Sequence, residues 1–309
     1  MVGVLLGFAI IAAVIAVGYL VGRFDILGQG ADRVLARIVF FVLAPALLFT
    51  VLAEADVHQL FSRVLPISAA VAALNIVIYA VVALLIWRRA VPETVIGSLA
   101  SGYVNGNNIG LPVSLYVLGD ASSSAPVILL QLVVLAPIAL TILDLSTSGR
   151  ASVRRILLQP VRNPLIIGSA LGLLVAVTGI ELPDPVMAPF ELVGAAAVPV
   201  VLLGFGMSLH GSRPLAPGTE RQDVVLASIL KLAVMPVAAW ALGYFVFGLT
   251  GHLLFVVTVL AALPTAQNVF TYAQRYQRGV VLARDAVVIT TALSIAVLVI
   301  VAALLAPGG

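Results

Sequence analysis

Cysteine is absent from this chain of 309 residues, and charge is scarce, with Asp, Glu, Lys and Arg together making up 9%. The missing thiols exclude a disulfide framework, a thiolate metal site and a cysteine nucleophile. The missing charge excludes an ordinary soluble domain, in which about 25% of residues are charged. Histidine occurs only as His58, His210 and His252, each expected at a helix end or in a loop, so none suits an intramembrane relay. No H-E-x-x-H, G-x-S-x-G or phosphate-cradling G-K-[ST] pattern occurs, which leaves an enzymatic reading without its usual anchors. The sequence nominates no metal ligands and no cofactor. The connections are too short for a nucleotide-binding domain, which argues against a primary pump.

What fills the chain instead is apolar: 62% of its residues are hydrophobic. A bilayer-spanning helix needs about 20 such residues. Ten segments qualify, at about 2–22, 33–53, 64–87, 94–118, 125–146, 163–179, 186–209, 223–248, 252–274 and 281–305. The first charge of the leading segment, Arg23, follows the apolar run, whereas a cleaved signal peptide carries positive charge before it. The expectation is a first helix that stays and ends in the cytoplasm.

The other basic residues agree. With the N-terminus outside, fourteen of the sixteen Lys and Arg residues fall on the cytoplasmic side, from Arg23 to Arg284. Only Arg63 lies outside, and Lys231 falls within a helix. Such a bias orients membrane proteins, so the net charge of +3 reflects topology and not nucleic-acid binding. Trp87 and Tyr276 read as interfacial anchors, and Asp144, Glu191 and Asp285 as solvated residues near helix ends.

Two segments are interrupted. Ser98–Asp120 has a polar, glycine-rich centre that ends in Leu111-Pro112, and Val257–Tyr276 carries Leu263-Pro264-Thr265. Backbone inside a bilayer leaves helical geometry only where protein or a water-filled cavity satisfies its polar groups. Pro45 precedes Pro112 by 67 residues, and Pro199 precedes Pro264 by 65. The chain thus reads as two five-helix repeats, 1–147 and 163–309, joined by a cytoplasmic linker at 148–162. Five is odd, so the second repeat enters the membrane from the opposite side. Paired broken segments in inverted repeats point to a secondary transporter's binding site.

At the breaks, half-helices are expected to begin near Leu111, with Pro112 in the first turn, and near Pro264 or Thr265. Their N-termini would face each other as an anion site. Asn105, Asn107, Asn108, Thr265, Gln267 and Asn268 lie close by. Amides bind a carboxylate, replace the hydration of a cation, or merely satisfy freed backbone. Gly102, Gly106 and Gly110, four apart, predict one small helix face on which the broken helices cross. Gly168 and Gly172 read as ordinary helix packing; Gln131 and Asn75 could line a path or bond across helices, with packing the preferred reading for each. Lys231, deep in its helix, is a functional candidate by default. The alternative is a stem that snorkels to the cytoplasm.

On these residues the chain resembles the auxin efflux carrier family, in its bacterial branch of organic-acid permeases. Asn105 with Gly110-Leu111-Pro112 is similar to that family's first crossover, and Leu263-Pro264 with Asn268 and Tyr276 to its second. The opening GYLVGRFDIL, Asn163-Pro164, the run PVVLLGFGMSL and Lys231-Leu232 before Pro236 extend the likeness over nearly the whole chain. Where the family carries Gly and an apolar residue, this chain has Asn107 and Asn108. The resemblance implies an all-α membrane protein of ten helices with crossing broken helices four and nine, similar to bile-acid symporters and sodium/proton antiporters. It further implies a scaffold of helices one, two, six and seven, a transport domain of the rest, and a homodimer through the scaffold.

The reading is an inner-membrane secondary transporter of a small organic anion, a mono- or dicarboxylate, working by alternating access with both termini outside. The substrate-binding candidates are Asn105, Asn108, Pro112, Pro264, Gln267 and Asn268, with Lys231 for charge or coupling. Its partners would be the anion, membrane lipid and a proton or sodium ion. A sodium-coupled symporter of an organic solute and a non-transporting ligand sensor stay open as alternatives.

Overall fold

The computed structural model describes residues 2–28, 30–55, 63–148, 163–208 and 221–306. Asp56, His58, His210, Arg213 and the linker beyond Ser148, with Arg150, Arg154, Arg155 and Arg162, lie outside that set. The described residues form helices: α1 (Val2–Arg23), α2 (Val34–Ala53), α3 (Leu65–Ile86), α4 (Val91–Gly102), α5 (106–118) and α6 (Ala121–Thr147). After the linker come α7 (Pro164–Thr178), α8 (Asp184–Met207), α9 (Arg221–Val246), α10 (Gly251–Ala262), α11 (Gln267–Tyr276) and α12 (Val280–Leu305). No strand occurs among them.

Six of these helices (α2, α3, α6, α8, α9 and α12) are long and apolar enough to cross a membrane, and Ala9–Arg23, α7 and α10 are shorter apolar helices. Outward-facing leucines such as Leu85, Leu192 and Leu304 are each more than 70% exposed, an arrangement that a bilayer tolerates and water does not. The segments expected at 94–118 and 252–274 are each two helices, separated at 103–105 and 263–266.

Prolines shape the long helices in a recurring way. Pro45, Pro112, Pro137 and Pro236 each stand two residues past the end of a five-residue π-helical turn: Val39–Leu43, Gly106–Gly110, Gln131–Leu135 and Leu230–Val234. Proline has no N–H and its ring presses on the carbonyl four residues back. Widening the preceding turn lets the helix continue without a sharp kink.

Glycine sets the closest helix contacts. A Cβ on Gly168 would strike the Pro45 carbonyl, and one on Gly172 would strike that of Phe49, so α7 lies directly on α2. Gly206 of α8 meets Ile15 of α1 in the same way, and Gly18 meets Leu203. The packing reading of Gly168 and Gly172 agrees with this contact. Helices α1, α2, α7 and α8 thereby pack on one another. Helix α3 packs on α4, α9 on α10 and on α12, and α4 on α6.

The helix-end acids divide. Glu191 is exposed. Asp144 accepts a 2.7 Å hydrogen bond from the Tyr276 hydroxyl. Asp285 is fully buried beside Arg284 at 2.8 Å, not solvated as expected, because its turn of α12 faces inward.

Candidate functional site

The two breaks meet. Val104 and Thr265 form an isolated antiparallel pair. The Asn105 N–H donates to the Pro264 carbonyl at 2.7 Å, and the Ala266 N–H donates to the Tyr103 carbonyl at 3.1 Å. Each interruption therefore satisfies backbone that the other has freed, which is what a non-helical stretch at membrane depth requires. Thr265 completes the junction. Its hydroxyl donates to the Ala100 carbonyl at 2.6 Å, and its N–H donates to the Thr290 hydroxyl at 3.1 Å.

The helices that follow start elsewhere than expected. Helix α5 begins at Gly106, a turn before Leu111, because Asn105 caps it: its Oδ1 accepts from the Asn108 N–H at 3.1 Å. Pro112 is then an interior, buried residue of α5. Helix α11 begins at Gln267, since Leu263 and Ala266 are extended around Pro264. Pro264 acts through its carbonyl and is not among the residues that line the cavity at the crossover. Gly102, Gly106 and Gly110 do not share a face, because the break falls between the first two. Gly102 faces Ala72 and Ile76 of α3, Gly106 faces Ile128 of α6, and only Gly110 faces the opposite break, at Leu263.

A small, partly open cavity of about 30 Å³ lies against the junction. Its polar lining comprises Tyr103, Asn105, Asn107, Asn108, Gln131, Gln267 and Asn268, and its apolar lining includes Phe40, Ile128, Leu132 and Leu165. Four predicted residues, Asn105, Asn108, Gln267 and Asn268, thus come together here. Phe40 belongs to α2 and Leu165 to α7, so the cavity lies between those helices and the broken pair. Asn107 donates to Asn108 and Asn108 donates to Gln267, both at 3.0 Å, so a row of amides links the two breaks. Asn105 is 3% exposed and its Nδ2 has no partner, and Gln131 is 4% exposed with a free Oε1. Helix α11 carries Ala266 at its cap position with no side-chain cap; the Val269 N–H donates back to the Ala266 carbonyl at 3.1 Å, which leaves the Gln267 and Asn268 N–H groups for a ligand.

Sequence reasoning placed Gln131 in packing and passed over Tyr103 and Phe40. Gln131 was visible as a polar residue in an apolar run, but its direction depends on the π-turn Gln131–Leu135 before Pro137. Phe40 and Tyr103 gave no signal, since aromatic residues in apolar helices are ordinary.

Lys231 lines neither this cavity nor the protein surface. It is wholly buried, and its ammonium donates to the Ala261 carbonyl at 3.0 Å. The snorkelling alternative therefore fails. Asn75 is also a bridge: its Nδ2 donates to the Ser101 carbonyl at 3.0 Å and to that of Leu230 at 2.9 Å.

Comparison with known proteins agrees with this architecture. The family model described as "Membrane transport protein" matches residues 4–150 and 144–302. A curated protein of Rhizobium meliloti (strain 1021), named "Putative malonate transporter", is 28% identical over 296 residues, covering 91% of this chain and 89% of that protein. With nearly its whole length matched and its apolar helices in place, the chain belongs to the membrane transport protein family, that of the auxin efflux carriers.

Proposed function

We propose that the chain is a secondary transporter of a small organic anion and that the substrate binds in the cavity at the crossing of the two breaks. The observation that carries this is the unpartnered, buried Asn105 amide beside the uncapped N-terminus of α11. Both present N–H donors at membrane depth, and together with the positive end of the α11 dipole they favour a carboxylate. The name of the Rhizobium relative makes malonate the first substrate to try.

In this reading the chain is a ten-span inverted repeat in which α4 with α5, and α10 with α11, are each one broken span. Helices α1, α2, α7 and α8 are the scaffold, on which homodimers form. The others move, and alternating access follows because the cavity lies between the two groups. The membrane is the bacterial inner membrane, with both termini outside. Single cysteines can be placed freely in a chain without any. A cysteine at Ser148 is expected to resist an impermeant thiol reagent in intact cells, and its labelling would reverse the orientation.

The binding reading is tested by malonate titration of the purified protein followed by thermal unfolding. Stabilisation by malonate, weakened in a folded Asn105→Ala variant, is the expected result. No stabilisation by any short carboxylate would reject the site. The alternative of a ligand sensor that does not transport is separated by flux in sealed vesicles.

A further inference from the structure

Lys231 stands in the π-turn Leu230–Val234 of α9, fully buried. Its ammonium reaches the Ala261 carbonyl and the Met235 sulfur, both at 3.0 Å. The ion pairs among the described residues are Arg89–Asp223, Arg278–Glu93 and Arg284–Asp285, so no carboxylate there compensates it.

The other half shows what this place requires. Lys231 lies in α9, the helix before α10, and its partner Ala261 is the next-to-last residue of α10. Asn75 likewise lies in α3, the helix before α4, and its partner Ser101 is the next-to-last residue of α4. Asn75 donates to Ser101 as Lys231 donates to Ala261. A neutral amide is thus enough to cap the carbonyl end before a break. A buried charge in its place costs several kcal/mol unless something of opposite sign offsets it. The negative end of the α10 dipole offsets part, but the matching end of α4 does without a cation.

Both partners of Lys231, Met235 and Ala261, line a second, water-sized cavity of about 10 Å³. Val104 and Gln131 line this cavity and the crossover cavity alike, so the two are neighbours.

We propose that the Lys231 ammonium is a built-in counter-cation for the anionic substrate, supplying in the second half the charge that a coupling metal ion would otherwise bring. The inference rests on the reading of the crossover as an organic-anion site. With the charge fixed in the protein, carboxylate binding needs no sodium.

The test measures malonate and malonamide binding to the purified full-length protein, in sodium and in choline buffers of equal ionic strength. The wild type is expected to bind malonate equally in both buffers. Lys231→Asn, which recreates the Asn75 arrangement, is expected to stay folded and to bind malonate about tenfold or more weakly, the scale of one lost charge interaction. Malonamide, which is neutral, should bind both proteins alike, whereas a purely structural role would weaken both ligands together. Lys231→Gln is a second neutral variant should Lys231→Asn fail to fold. Malonate binding only in sodium, or unweakened in the neutral variants, overturns the inference and leaves the anion site standing. Binding of no carboxylate by the wild type in either buffer removes the anion site and this inference with it.

Discussion

The two breaks use matching backbone and different chemistry. On the side where the incoming helix ends, α4 is held by the Asn75 amide and α10 by the Lys231 ammonium. On the side where the outgoing helix begins, the difference is reversed in kind. Helix α5 is capped by its own Asn105 side chain, whereas α11 has Ala266 at the cap and no side chain on its Gln267 and Asn268 N–H groups. Both breaks therefore contribute amide side chains, and the second adds a charge and backbone donors without a side-chain cap. The lesson is that a repeated fold element can keep its hydrogen-bond geometry while only one copy carries charge. The polarity of the crossing arises from that division, because the backbone pairing of Val104 with Thr265 serves both breaks equally.

Asn75→Leu strikes the comparison hardest. It strips the hydrogen bond of the Ser101 carbonyl and the second one of the Leu230 carbonyl, which keeps the Met235 N–H, and a buried carbonyl left unpaired costs roughly 1–3 kcal/mol. The unfolding temperature in detergent is expected to fall well below that of Lys231→Asn, in which an amide takes over the cap. Equal temperatures for the two variants would mean that the caps are not equivalent.

Next come the asparagines on either side of the crossing. Asn105→Ala removes both the cap of α5 and the free Nδ2, so malonate affinity is expected to drop about tenfold, or ~1.4 kcal/mol. Asn268→Ala leaves the backbone donors of α11 in place, and a loss of only about threefold is expected, near 0.6 kcal/mol. Isothermal titration of the two variants gives the order directly, and a reversed order would transfer the anchoring role to the second break. The smallest effect belongs to Asn108→Ala, which cuts the amide row between Asn107 and Gln267. An interhelical hydrogen bond in a membrane protein is worth about 0.6 kcal/mol, so a slight fall in thermal stability is expected.

Much of this was legible in the sequence. Apolar length marked the helices, and the polar stretches at Asn105 and Gln267 marked the breaks, because a bilayer allows so few alternatives. The places where helices restart were not legible. Whether α5 begins at Gly106 or Leu111 depends on Asn105 turning its side chain back to the Asn108 N–H, a choice that proline positions alone do not fix. The glycines at 102, 106 and 110 misled for the same reason, since periodicity holds only within one continuous helix. Asn75 and Lys231 had no visible connection, because their likeness lies in partners 26 and 30 residues away. Asp285 looked interfacial by its place in the chain, yet the turn that carries it faces inward.

The most direct test of the crossover as an organic-anion site is uptake of labelled malonate into sealed proteoliposomes, comparing the wild type with folded Asn105→Ala. The account predicts saturable uptake by the wild type, unchanged when choline replaces sodium, and strongly reduced uptake by the variant. Equal uptake by the two proteins, or wild-type uptake no greater than in protein-free vesicles, would contradict it.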